Sequence, residues 1–373
     1  MFTNITPALR SSLRTYWMVS LMLAATLGAL LGCASPAPTP TPTAPPLANE
    51  LIFYDWEDDM PQSVLDAFTR EFGVNVTYKT YATQEEAIEK IRAGEASDVV
   101  VMEYRLIPSL VTDELIVPLD HRNVPNLKNI SASFRDLAHD PGNKYSVPFN
   151  WGTSGLVVRS DLIAEPVTRW ADLWDPRYAG RAGIWEGMSR EVLALTLKTL
   201  GYSANSENPV ELQTALDRLL LLKPHVRPIE DFSQVSSAPA LLSGEVAIAQ
   251  GWAYDVLLAR KENSAITYVL PKEGALMWGD TFAIPANSPR KYTAEVFINF
   301  LLRAEIGAAI ANENYYATPN EAALPLINPE LLNDPVIFPP NELLKNAEIV
   351  MPLSPGGEIM YDAIWQRYLE ESR

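Results

Sequence analysis

The stretch 50–102, ELIFYDWEDDMPQSVLDAFTREFGVNVTYKTYATQEEAIEKIRAGEASDVVVM, decides the fold class. Leu51-Ile52-Phe53-Tyr54 is a short apolar run with the aromatic and β-branched bias of a buried strand. Pro61 suits the first turn of a helix; Val64, Leu65, Phe68 and Phe72 then recur at helical spacing, and Gly73 ends the run. Val74, Val76 and Tyr78 alternate as a strand does. Glu85 to Ala93 reads as a second helix, stopped by Gly94, and Asp98 to Met102 as another buried strand. The resulting β-α-β-α-β order predicts an α/β lobe.

Further along, strand-like segments surround Trp151-Gly152 between Tyr145 and Val158. Helices are expected from Ser189, a good N-cap, to Leu200, from Pro209 to Leu222, from Tyr254 to Lys261 and around Ala294 to Leu302. Strands are expected at Val246 to Gln250, Ile266 to Leu270 and Asp280 to Pro285. No repeat occurs at solenoid periods. At 373 residues, the chain is long enough for two lobes.

The formal charge of −17 repels nucleic acid and attracts cations. Cys33 is the single cysteine, so no internal disulfide can form. His121, His139 and His225 show no metal-ligand spacing, which argues against a zinc site or a Cys/His nucleophile. No cofactor is expected.

Arg10 and Arg14 precede an apolar stretch from Trp17 to Gly32, which is short for a membrane span and ends in small residues. Residues 1–32 are expected to be a signal peptide. Leu30-Leu31-Gly32-Cys33 resembles the lipobox of bacterial lipoproteins, in which the cysteine is acylated and becomes the new N-terminus. Residues 33–49 are expected to form a Pro-rich tether, of which residues 34–48 in polyproline II would reach roughly 45 Å at about 3.1 Å per residue. The folded part would then stand outside the cell membrane, in the periplasm or on the outer face, held by lipid alone.

Three tryptophans lie beside predicted strands with carboxylates nearby. Trp56 sits within Asp55-Trp56-Glu57-Asp58-Asp59, Trp252 close to Asp255, and Trp278 two residues before Asp280. Ligands of open α/β sheets bind beyond the carboxyl ends of strands. Indole faces attract ammonium groups, and carboxylates add charge-assisted hydrogen bonds. Each residue alone has an ordinary explanation: tryptophans after strands often pack in cores, and Asp58, Asp59 and Glu191 favour helix N-termini. Their combination points to a cleft for an organic cation.

The strings LIFYDWEDDMP, YSVPFNWGTSGLVV, WADLWDPRYAG, REVLALTLKTLGYS, PKEGALMWGDTFAIPANS and YYATPNEAA resemble the spermidine/putrescine-binding lipoproteins of polyamine ABC importers, bacterial extracellular solute-binding proteins. The likeness covers roughly residues 50–350, and MWGDTFAIP with the late Tyr-x-Thr-Pro-Asn is its most specific part. It implies a type II periplasmic-binding-protein fold, with two α/β lobes joined by hinge strands and the ligand between them. Lobe 1 would comprise residues 50–156 and 279–343, and lobe 2 residues 157–278 and 344–373. Trp56, Trp252 and Trp278 match aromatic walls along the polyamine, Asp280 and Glu191 match acids of the site, and Tyr316 matches a cleft tyrosine. Asp59 replaces a tyrosine of the pattern, Met188 an aspartate, Arg105 a tyrosine and Val350 a glutamine. Glu57, Asp59, Glu103 and Asp255 are candidate replacement acids. The implied function is capture of a polyamine by a monomer and its delivery to the permease subunits of an ABC transporter.

Three other readings fit parts of the pattern, the first being capture of another cationic solute, such as an amino-acid derivative. The adjacent Tyr315-Tyr316 pair is of the kind that ferric-ion-binding relatives use as phenolate ligands. Tryptophan beside paired carboxylates also describes a glycoside hydrolase cleft, whose acids stand roughly 5–9 Å apart.

Overall fold

The five elements expected in residues 50–102 are all present in the computed structural model, which describes residues 44–57, 59–229 and 237–371. The leader, Cys33, most of the tether and Asp58 lie outside the described residues. Strands β1 (Glu50–Trp56), β2 (Asn75–Tyr81) and β3 (Val99–Glu103) alternate with helices α1 (Gln62–Phe72) and α2 (Gln84–Arg92). Helix α1 buries Val64, Leu65 and Phe68, and Gly73 ends it at φ 69°, where its N–H reaches the Thr69 carbonyl. Such a positive φ favours glycine. Pro61 is the N-cap, just before the first turn, and has an extended conformation.

The remaining strands are β4 (Ser146–Arg159), β5 (Ala182–Ile184), β6 (Val226–Pro228), β7 (Ile248–Trp252), β8 (Ile266–Val269), β9 (Leu276–Ala283) and β10 (Glu348–Ile349). The longer helices are α3 (Ser189–Thr199), α4 (Pro209–Leu222), α5 (Ala253–Glu262), α6 (Lys291–Leu301), α7 (Ala304–Asn314) and α8 (Pro355–Glu370). Ser189 is the first residue of α3 and not its cap; Met188 holds that position, and no side chain caps the helix. Trp56, Trp252 and Trp278 all lie inside strands, where sequence placed the first two just after one and the third just before one.

The strands run β2-β1-β3-β9-β4-β7-β5-β6, with β10 on β9 and β8 on β4. Pairing is parallel for β1 with β2 and β3, and for β5 with β6 and β7. Two long antiparallel strands join these parallel halves. Strand β4 pairs through residues 146–154 with β9, then through 154–158 with β7. Strand β9 pairs with β3 on its other side through 280–283. A register shift between Pro148 and Asn150 interrupts the β4–β9 ladder, as expected where proline removes a ladder donor.

Each half has its own apolar core. Phe53, Phe68, Val101, Phe282 and Phe297 cluster in the first. Trp170, Leu193, Leu216, Ile248 and Tyr368 cluster in the second, where α8 packs through Tyr361, Ile364 and Trp365. The docked chain begins at Leu47, before the expected end of the tether at residue 49. Leu47 packs on the first core, and the Ala48 N–H reaches Thr293 Oγ1 at 2.9 Å. Leu47 is the one large apolar side chain of the tether segment, which explains why docking starts there. Among the described residues, no helix is long and apolar enough to cross a membrane.

Candidate functional site

Strand alternation turns the sheet face that carries Phe53, Val101 and Phe282 into a polar row at its edge. Two residues beyond Phe53 and Val101 come Asp55 and Glu103; two before Phe282 comes Asp280. Glu103 lies directly opposite Asp280 on one side, and Asn150 opposite it on the other. Asp59, in the turn after β1, receives a hydrogen bond from Asn150 Nδ2 at 3.2 Å. Asp55, Asp59, Asp280 and Asn150 are all at most 5 % exposed. Strand pairing thus gathers three carboxylates in one dry place.

Burial pushes the Asp280 carboxyl well above its usual range; repulsion from Glu103 and Asp59 adds to this, and Arg105 opposes it. Burial does the same to Asp55, helped by Asp59 and Asp280 and countered by the Trp56 N–H. Arg105 reaches this neighbourhood but is engaged: its Nε lies 2.5 Å from Glu103 Oε2. Asp280 Oδ1, Asp55 Oδ2 and Asn150 Oδ1 are buried acceptors without a hydrogen-bond partner.

Strand β4 carries the site onward. Asn150, Gly152 and Ser154 share one face, opposite Asp280, Trp278 and Trp252 respectively. The Trp278 indole lies over Gly152 and meets Tyr316 edge-on, with ring centroids 5.5 Å apart. Tyr316 also packs on Tyr254 at 5.5 Å. At the far end Glu191, in the first turn of α3, accepts hydrogen bonds from Ser154 Oγ and Gln250 Nε2, both at 3.0 Å, and from the Trp252 indole at 3.5 Å. Burial raises the Glu191 carboxyl too, although its donors from Ser154 and Gln250 oppose the shift. Trp252 stacks on Trp185 at 5.7 Å. The four-residue step from Asn150 to Ser154 separates the two acidic ends by about 14 Å at about 3.4 Å per residue.

The expected site residues therefore meet unequally. Asp280 and Asp59 gather at one end of the β4 face, Glu191 and Trp252 at the other, and Trp278 with Tyr316 between them. Trp56 is half-buried and packs on Tyr81 at 4.8 Å, on the sheet side opposite Asp55. The Asp255 carboxylate receives the Trp252 N–H at 2.8 Å, the Ser237 N–H at 3.0 Å and the Ser237 hydroxyl at 2.9 Å, so it caps α5 and positions Trp252. Glu57 is exposed. Met188 and Val350 pack on apolar clusters. Tyr315 lies under Lys261, its ring 5.3 Å from Nζ, while Tyr316 turns toward Trp278. The two phenols have different neighbours.

Sequence reasoning missed Asp55, Asn150, Ser154 and Gln250. Asp55 was recoverable, since the period that buries Phe53 points the side chain two residues later to the same face. Asn150, Ser154 and Gln250 depend on the β4 register, which no local signal announces.

Residues 63–339 match the family of bacterial extracellular solute-binding proteins. The chain is 35% identical over 303 residues to the spermidine/putrescine-binding periplasmic protein of Escherichia coli K12, covering 80% of this chain and 86% of that one. It is 30% identical over 313 residues to the putrescine-binding periplasmic protein PotF of the same organism, covering 79% and 84%. Among solved structures, the spermidine/putrescine ABC transporter substrate-binding protein PotD of Streptococcus pneumoniae superposes with a TM-score of 0.78 at 30% identity, covering 86% of this chain and 99% of that one. The mixed sheet with its two cores is the two-lobe periplasmic-binding-protein fold of that structure. That family is one of solute capture and not of catalysis. The chain belongs to the bacterial extracellular solute-binding proteins.

Proposed function

We propose that this protein captures a linear polyamine and hands it to an ABC transporter. The observation that carries the reading is the β4 face, with buried carboxylates at both ends and the Trp278 indole between them. A linear polyamine has the same order of parts, ammonium, methylenes, ammonium. The aromatic rings supply walls for the methylenes and cation–π attraction of about 0.5–2 kcal/mol per ammonium. The names of the relatives, which specify spermidine and putrescine, support the same ligand class. The span of about 14 Å between the acidic ends suits a triamine better than a four-carbon diamine, whose nitrogens cannot reach both.

Lobe 1 is assigned residues 50–156 and 279–343, and lobe 2 residues 157–278 and 344–373. Closure of the lobes on ligand excludes water and strengthens each ion pair, so the ligand favours the closed state by its extra contacts there. Calorimetric titration of the fragment from residue 47 with spermidine, spermine and putrescine tests the reading. Spermidine is expected to bind at micromolar or tighter concentration, about −8 kcal/mol, more tightly than putrescine and less tightly as salt rises. Failure of all three amines to bind sinks the polyamine reading.

The protein is assigned to the periplasm or the outer face of the cell membrane, held there by acylated Cys33 and otherwise monomeric. Cys33→Ser is expected to move it from the membrane fraction to the soluble fraction with ligand affinity unchanged. Retention of a lipid-labelled product in that variant would refute the anchor.

A further inference from the structure

We propose that Asp55 is a working part of the ammonium subsite, and that an amine entering it displaces a proton held among Asp55, Asp59 and Asp280. The proposal rests on the cationic-ligand reading and adds to it a residue and a proton balance.

Asp55 is fully buried, yet one of its carboxylate oxygens has no partner. Its other oxygen accepts only the adjacent Trp56 N–H, at 2.8 Å. A buried carboxylate with an orphaned oxygen and no paired cation is costly to keep in a fold. The same orphaning occurs at Asp280 Oδ1 and Asn150 Oδ1, on the same sheet face. Buried acceptors without donors are what an ammonium, with N–H donors and no acceptor, can satisfy.

The groups around Asp55 are acidic or phenolic on every side that acts on it. Asp59 lies in the turn beyond β1, Asp280 on β9, and Tyr78 and Tyr81 on β2. Tyr316 faces Asp59 and Asp280. Farther along the row stand Glu103 and Arg105, which are committed to each other. Among the described groups that act on Asp55 and Asp280, Arg105 is the one cation, and it is paired with Glu103. Like charges crowded in a dry site do not all ionise, so the empty site retains a proton as a neutral carboxyl. When R–NH3+ enters, the carboxyl O–H bond breaks, its proton leaves to solvent, and the carboxylate accepts an N–H of the ammonium. One positive charge enters and one leaves, so the site's net charge is conserved.

The test is spermidine titration by calorimetry at one neutral pH in two buffers of different ionisation enthalpy. The difference in observed heat gives the protons exchanged. The parent is expected to release about one proton per spermidine bound. Asp55→Asn keeps the shape but cannot ionise, and is expected to bind at least tenfold more weakly with proton release reduced by half or more. Circular dichroism checks that the variant is folded, and Asp55→Glu, which restores the charge, is expected to recover part of the release. Binding by the parent with no proton release, or an Asp55→Asn variant that matches the parent in both quantities, overturns the proposal while leaving polyamine capture intact. Absence of binding by any amine to the parent overturns both.

Discussion

Asp280→Asn lowers spermidine affinity about a hundredfold, which is about 2.7 kcal/mol, and raises the melting temperature of the ligand-free protein at neutral pH. The two effects have one cause. Asp280 is buried beside Glu103 and Asp59, so the empty fold disfavours its charge. Its folded-state ionisation lies above the unfolded value of about 3.9. A group raised in this way contributes stability that is fully present below the unfolded value and lost as pH rises through the folded one. At neutral pH the parent has lost some or all of that contribution, whereas the amide has nothing to lose. The stability advantage of the variant should therefore grow from acid to neutral pH, as read by thermal melts across that range. Binding has the opposite sign. An ammonium opposite a buried carboxylate is paired, and removing the acid leaves a buried cation unpaired, a change that costs about 3–5 kcal/mol for buried pairs before partial compensation by Asp55 and Asp59. The salt dependence of binding should flatten as well. If affinity and salt dependence both stay as in the parent, the ion pair lies elsewhere in the cleft.

The same variant marks how far sequence reasoning reached. Asp280 stands in a motif specific enough to name, and the alternation of Trp278, Asp280 and Phe282 places wall, acid and core on one strand face. The β-α-β-α-β opening was legible because Phe53, Val64, Leu65 and Phe68 keep clean periods and Gly73 punctuates them. Asp255 was ambiguous for a local reason: an acid three residues after a strand-end tryptophan can line a cleft or cap the next helix, and its bonds to the Ser237 and Trp252 N–H groups became visible only in the fold. The long-range partnerships were beyond reach. Ser154 and Gln250 hold Glu191 from 37 and 59 residues away, and Asn150 reaches Asp59 across 91. Such contacts follow from the register of β4 against β7 and β9, which is fixed by packing of the whole sheet and not by any short string.

Gly152→Ala should weaken spermidine binding about as much as Trp278→Ala, by roughly thirtyfold or about 2 kcal/mol, although a methyl group at residue 152 touches no ligand. Gly152 lies directly opposite Trp278 on the neighbouring strand. A Cβ there would stand 2.3 Å from indole Cζ2 and 2.7 Å from Cε2. The clash falls on a rigid ring system, not on the end of a flexible chain, and Tyr316 already meets that ring edge-on at 5.5 Å. The indole must therefore leave its place over β4, and with it goes the wall between the two acidic ends. Overpacking of this kind also costs stability, about 1–3 kcal/mol, so a loss of affinity alone would not separate a displaced wall from a loosened fold. The double variant separates them. With Trp278 already replaced by alanine, the methyl group has no ring to strike, and Gly152→Ala should leave the remaining affinity almost unchanged. The coupling between the two sites should then be about 2 kcal/mol, within the range found for side chains in direct contact. Additive losses in the double variant would mean that Gly152 acts through the sheet and not through the indole; parent-like binding by Gly152→Ala alone would mean that the ring shifts freely and is no wall at all.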